Sequence, residues 1–388
     1  MDKPAARPGP LAYSCGVELT RICALLARAG VDLEHLREAA AATGTSPGDV
    51  VAAGPHALAR IDLPPAVRAA LLSPDDAAID ADLRWLDAAR AALVPFGSPL
   101  YPEMLAQTRR GPAVLYVLGD ARTLGEAQLA MVGSRNPTPV GRRTARDFAA
   151  AFARVGLSIT SGLALGIDGA SHEGALAAGG ITVAVCGNGL DVVYPREHCA
   201  LAARIREQGA LVSEFPPGTP PLAAHFPQRN RILSGLALGT LVVEASIRSG
   251  SLNTAGHALE QGREVFAIPG SIHSPVTRGC HKLIREGAKL VESAADVLSE
   301  LRIPEHMRRP AAAVASPRAA PGAARAMDKD YEMLLDALGF EPASIDALVE
   351  RTGLPSESIA SMLLILELDG RVAPHPGGRY CRLPEQQP

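Results

Sequence analysis

Hydrophobic and polar positions change their rhythm three times along the chain. From about residue 14 to 87 the sequence is rich in Ala and Leu at helical spacing, interrupted by Gly30, Gly44, Gly54 and Pro64-Pro65. That pattern predicts a small helical domain over 1–88, of the SAM or helix-hairpin-helix kind. Between residues 131 and 301 short apolar runs alternate with amphipathic stretches. The runs 128–132, 157–160, 181–186, 210–215, 240–244, 264–268 and 289–291 read as strands. The predicted fold class is α/β: a mostly parallel, Rossmann-like sheet over 89–302 with helices on both faces. Residues 303–326, rich in Pro, Ala and Arg, read as a linker. Beyond it, over 327–388, the segments 329–338, 344–352 and 356–369 pattern as helices, and 370–383 as a hairpin turning at Gly377-Gly378. Three helices and a hairpin predict a C-terminal winged-helix domain.

The chemistry lies where strands are expected to end, because ligands of open α/β sheets gather at the carboxyl ends of the strands. Gly133-Ser134-Arg135 follows one strand and precedes a helix expected near Pro137. Backbone amides there can face a phosphate, with Arg135 adding a charged fork; a turn alone needs no Arg. Ser161-Gly162 repeats the arrangement one strand later. Asp168 and His172, four residues apart, invite a Ser/His/Asp reading, but no nucleophile-elbow sequence accompanies Ser161. Asp168 is expected to be a helix-start or structural hydrogen-bonding residue. Cys186-Gly187-Asn188-Gly189 offers the start of a dinucleotide fingerprint, yet Val192 stands where its third glycine belongs, and Glu214 alone is weak support.

Phe226-Pro227-Gln228-Arg229-Asn230-Arg231 is the least generic stretch. An aromatic beside a basic helix start suits a single nucleic-acid strand, through base stacking and phosphate neutralisation. It reads equally as a buried Phe with a solvated Arg pair. Ser249, Gly250, Ser251 and Thr254 open a further helix, where hydroxyls either cap it or bind phosphate. His225 and His257 lie near this rim without metal-ligand spacing.

Composition alters this picture little. The chain has 388 residues, is 47% hydrophobic and 20% charged, and carries a formal net charge of -3. A basic protein would have favoured a nucleic-acid partner; this balance leaves that role to a local pocket. Lys3, Lys282, Lys289 and Lys329 are the only lysines, so Arg, whose planar fork suits phosphate, supplies nearly all positive charge. Cys15, Cys23, Cys186, Cys199, Cys280 and Cys381 are scattered without a zinc or disulfide pattern, which fits a reduced, cytoplasmic setting. No apolar signal segment opens the chain and no run approaches membrane-spanning length. No metal or cofactor is expected.

The motifs MVGSRNPTPVG, SGLALGIDGASHEGAL, AVCGNGLDVVYPREH, SEFPPGTPP, FPQRNRILSGL, EASIRSGSLNTAGHALEQGREVFAIPG and GCHKLIREGAKLV occur in this order. Together they closely resemble the DprA/Smf family of bacterial DNA-processing proteins, densely over residues 101–299. The resemblance implies an extended Rossmann-like domain binding single-stranded DNA without sequence preference. It also implies a homodimer that protects incoming DNA in natural transformation and helps load the RecA recombinase. Gly133, Ser134 and Arg135 match the family's first phosphate-binding turn, and Ser161 and Gly162 the second. Phe226, Arg229, Asn230 and Arg231 match its aromatic-basic helix, and Ser249, Gly250, Ser251 and Thr254 its glycine-serine turn. Gln228 stands where some members have a basic residue, and His281 where many have Asn.

An enzyme acting on a nucleotide or nucleoside is the alternative, since related folds perform such chemistry. The absence of paired carboxylates or an activated nucleophile on the expected rim argues for a non-enzymatic protein. A groove-reading role for the winged helix is disfavoured by Asp346, Glu350, Glu357, Glu367 and Asp369 against Arg351 alone in its last two helices. A protein-contact role suits it better.

Overall fold

The computed structural model describes residues 17–307 and 329–384. In chain order the main sheet is built from β1 (Ala92–Pro95), β2 (Val114–Gly119), β3 (Gln128–Val132), β4 (Ser158–Ser161), β5 (Thr182–Val185), β6 (Ala210–Ser213), β7 (Gly239–Val242), β8 (Glu264–Ala267) and β9 (Lys289–Leu290). The spatial order is β1-β2-β6-β5-β4-β3-β7-β8-β9. From β6 to β9 every pairing is parallel. β2 pairs antiparallel with β6, and β1 antiparallel with β2. Those two strands extend the expected parallel sheet at one edge.

The five strands from β3 to β7 are buried along their whole length, as strands covered on both faces must be. From β3 the chain winds outward through β4, β5 and β6, then returns to lay β7 on the other side of β3. Strand order therefore reverses between β3 and β7. The helices after these two strands, Pro139–Arg154 and Ser251–Glu260, leave a crevice between them at the strand ends.

The N-terminal helices are expected as a separate domain, and the structure corrects this. Leu26, Leu33, Leu36 and Leu58 share one continuous core with Val114, Tyr116, Val183 and Val212 of the sheet. Polar ties cross the expected boundary as well. The Tyr116 hydroxyl of β2 donates at 3.1 Å to the buried Asp82 carboxylate, which also accepts from Arg28 on its own side at 2.6 and 2.7 Å. Arg37 reaches the carbonyls of Ala106 and Thr108. The glycines do punctuate the helices as the sequence suggests: Gly44, at φ 69°, ends Leu33–Thr43 in a left-handed cap.

The other face of the sheet is covered by Phe152, Leu157, Phe266 and Val297. Met307, only 5% exposed, packs into this second core, and His306 approaches Glu103 at 3.0 Å. Residues 303–307 thus belong to the sheet domain rather than to the linker; 308–326 lie outside the described residues.

The C-terminal helices Lys329–Leu338, Ile345–Thr352 and Ser356–Leu368 enclose their own core of Leu334, Leu335, Leu348 and Leu363. Beside them lies a 3-stranded antiparallel sheet of β10 (Ala343–Ser344), β11 (Val372–His375) and β12 (Arg379–Arg382). β10 adds a strand to the expected hairpin. Gly377 and Gly378, both at positive φ, make the β11–β12 turn. Among the described residues no helix is long and apolar enough to cross a membrane.

Candidate functional site

A cavity of about 380 Å³ opens at the point where strand order reverses. The turn after β3 forms one wall. Gly133 is required there: a Cβ would lie 2.6 Å from Cγ1 of Ile167, on the helix Ile167–Ala177. Ser134 Oγ accepts from the Asn136 amide at 3.1 Å. Arg135 is exposed, and its guanidinium carbon lies 5.6 Å from the centre of the Phe226 ring. Gly133, Ser134 and Arg135 all line the cavity.

The helix that follows begins at Pro139, not at Pro137, and its N-terminus is already occupied. The Glu244 carboxylate, at the end of β7, accepts from the Thr138 amide at 3.0 Å and from its hydroxyl at 2.6 Å. Thr138 in turn caps the Gly141 amide. Burial pushes the Glu244 carboxyl above its ordinary range, against the pull of the Thr138 bonds. An anion bound by the first turn must therefore use the turn itself and not this helix end.

The turn after β4 is closed, correcting the expectation that it binds phosphate. Ser161 is fully buried, and its hydroxyl donates to the Met131 carbonyl of β3 at 2.6 Å. The Gly162 amide donates to Asp168 at 3.1 Å, and its carbonyl accepts from Arg229 at 2.8 Å. Arg229, 4% exposed, also donates to the Val185 carbonyl and, through Nε, to Asn230. Its guanidinium borders the cavity but spends Nε and Nη1 on the protein. Burial draws the Arg229 pKa down, opposed by the Asp168 carboxylate; burial pushes Asp168 up, opposed by Arg229. Asp168 is thus the structural hydrogen-bonding residue expected. It forms no triad: the His172 ring bonds the Thr182 hydroxyl at 2.7 Å, and burial depresses its pKa to about 3.

The helix His225–Leu236 crosses the mouth of the crevice. Phe226, Arg229, Asn230 and Leu233, at spacings of three, four and seven, face the cavity together. Arg231 does not share that stripe. It points to the opposite side and pairs at 2.5 Å with Glu214, which burial pushes above its ordinary carboxyl range. Arg231 is thereby removed from the set of cavity contacts. Gln228 likewise lies outside the cavity and bonds Glu214. Phe226 is half-buried, neither core nor fully solvated, with Tyr194 5.6 Å away, ring centre to ring centre.

The turn after β7 closes the other wall with Ser249, Gly250, Ser251 and Thr254. Ser251 Oγ donates to the Gly133 carbonyl at 2.9 Å and so clamps the two open turns together. Asn253, two residues further, accepts from Asn230 at 3.2 Å. Gly250 has φ -61°, and a Cβ there would meet nothing within 4 Å. Neither backbone conformation nor packing asks for glycine at this position, so its small size leaves room at the cavity. Arg248, exposed between the cavity residues Ser246 and Ser249 and without an ion pair among the described residues, was not singled out from sequence. Its signal was there: an Arg directly before a Ser-Gly-Ser helix start. His281 does not line the cavity and closes its own loop against Gly270.

The cavity thus offers an exposed guanidinium and serine hydroxyls to an anion, beside the start of Ser251–Glu260, whose first amide is bonded to the Ser249 hydroxyl, and one aromatic face to a flat group. Asp168, the carboxylate that lines it, is engaged with the Gly162 amide, and the nearby Glu244 with that of Thr138.

Comparison with known proteins agrees with this reading of the fold. Residues 92–302 match the family model of DNA recombination-mediator protein A, and residues 317–378 that of the DprA winged helix domain. The chain is 46% identical to Protein Smf of Escherichia coli over 79% of its own length and 81% of that protein. It is 46% identical to DNA processing protein DprA of Bacillus subtilis over 54% and 70% of the two chains. The crystal structure of DprA from Streptococcus pneumoniae superposes with a TM-score of 0.63 at 36% identity, over 74% of this chain and 99% of that one. DNA processing protein A from Helicobacter pylori, whose structure is described as revealing a unique single-stranded DNA binding mode, superposes with a TM-score of 0.50 at 25% identity, over 55% and 98%.

Proposed function

The chain belongs to the DNA recombination-mediator protein A family, and on that footing we propose that it binds single-stranded DNA without sequence preference at the cavity between β3 and β7. The observation that carries this reading is the exposed Arg135 guanidinium 5.6 Å from the half-buried Phe226 ring, in a crevice walled by glycine and serine turns. A phosphate beside Arg135 brings a neighbouring base within reach of the ring. Unpaired bases can stack on it; paired bases cannot. The same reading extends to a cytoplasmic homodimer that shields incoming DNA in natural transformation and loads RecA, without catalysing a reaction. The single-stranded DNA mode described for the H. pylori protein supports the first of these statements.

The test is fluorescence anisotropy with single- and double-stranded oligonucleotides over a range of salt, beside a nucleotide-hydrolysis assay on the same preparation. Binding that favours the single strand and weakens with salt, without nucleotide turnover, is the expected result. Hydrolysis of a nucleotide, or equal affinity for duplex, would replace this reading with the enzyme or with a general DNA binder. Light scattering and a RecA pull-down address the dimer and the partner; a strict monomer that ignores RecA would remove both.

A further inference from the structure

The loop between β5 and the helix Cys199–Gln208 contains the glycines that resemble a dinucleotide fingerprint, but the structure gives them other work. A Cβ at Gly187 would sit 3.1 Å from the Phe226 ring, so the missing side chain lets that ring lie on the loop. The buried Asn188 donates to the carbonyls of Gly189 and Val192 at 2.8 and 2.7 Å, and its own carbonyl accepts from Ser213 at 2.8 Å. Pro195 is buried, and its carbonyl accepts from the His198 amide. Tyr194 is held between these anchors. The residue is 45% exposed, and its ring stands 5.6 Å from the Phe226 ring at an angle of 43°.

Single exposed aromatics are ordinary on protein surfaces. An exposed ring on an anchored loop, touching the aromatic wall of a phosphate-suited cavity, is a different matter. We propose that Tyr194 is a second base-stacking face, which together with Phe226 takes neighbouring bases of the single strand as it leaves the cavity. The proposal rests on the single-stranded DNA reading of this site. Because the two ring planes diverge by 43°, bases stacked on one another at roughly 3.4 Å cannot lie on both faces. The strand is therefore held with its bases splayed, a geometry closed to duplex.

Two side-chain replacements separate stacking from simple support of Phe226. Tyr194→Phe keeps the flat face and loses the hydroxyl; Tyr194→Leu keeps apolar contact with Phe226 and loses the face. Single-strand affinity should survive the first and fall at least about fivefold in the second, with an unchanged salt slope because no charge is lost. Irradiating the unaltered protein with an oligonucleotide containing 5-iodouracil should cross-link Tyr194 as well as Phe226, as read by peptide mass spectrometry. Full affinity in Tyr194→Leu, or cross-links at Phe226 without Tyr194, would overturn the proposal and leave the single-stranded DNA site standing. Failure of the unaltered protein to bind any single strand would overturn both.

Discussion

Two turns at neighbouring strand ends look alike in sequence and differ in use. Gly133-Ser134-Arg135, after β3, keeps its Arg exposed beside the cavity. Ser161-Gly162, after β4, is sealed from both sides by Asp168 and by Arg229, a residue 67 positions along the chain. In the first turn the protein ties down the Gly133 and Ser134 carbonyls but leaves the Arg135 charge exposed; in the second it supplies its own cation and carboxylate to the Gly162 backbone. A glycine-serine strand end is thus an anion site only where the fold has not already filled it, and filling is decided by distant side chains.

The sharpest way to break this comparison is to remove the internal cation. Arg229→Ala strips the Gly162 and Val185 carbonyls of their donor and leaves Asp168 buried without its counter-charge, at an expected cost of about 3–5 kcal/mol of stability. Chemical denaturation measures it. Arg231→Ala, which leaves Glu214 unpaired, should also act on stability and not on binding per folded molecule. If Arg229→Ala keeps its stability and loses DNA, the sealed turn is a binding turn after all; the same outcome in Arg231→Ala would return Arg231 to the binding residues.

Phe226→Ala comes next. Single-strand affinity should drop about 5- to 150-fold with salt slope and duplex affinity nearly unchanged. The ring is half-buried, so the melting temperature should move little. A large melting shift with unaltered affinity would assign Phe226 to the core. The smallest effect belongs to the open turn. Arg135→Ala should leave stability within about 0.5 kcal/mol and lower the salt slope of log K by ~0.7, one phosphate contact on a single strand. An unchanged slope would show that the open turn, like the sealed one, touches no phosphate.

Much of the architecture was legible because buried parallel strands are short apolar runs with turn residues at their ends. β3 through β9 all fall on expected runs. β1 and β2 escaped because ALVP and VLYVLG sit in an Ala/Leu-rich context where four to six apolar residues do not separate strand from helix. That the N-terminal helices share the sheet's core is not legible for a related reason: periodicity shows that a helix has an apolar face, not what covers it. At the site, residue types were readable and side-chain directions were not. The spacing 226, 229, 230, 233 could have excluded Arg231, which lies two positions from Arg229 and so faces elsewhere. No local pattern announces that Arg229 turns inward, since its partners Gly162 and Val185 come from other strand ends.

Glu244 carries a consequence for what this fold refuses. In nucleotide-binding relatives of such sheets, the pyrophosphate rests on the helix that follows the first strand. Here a carboxylate from β7 already sits at that position, bound to Thr138, with Gly141 bare so that it fits. A pyrophosphate approaching the same amides would meet a group of its own sign, and a Cβ at Gly141 would collide with Glu244 before it could reopen the space. One carboxyl group thus holds, from within the protein, the helix-end amide that a pyrophosphate would use.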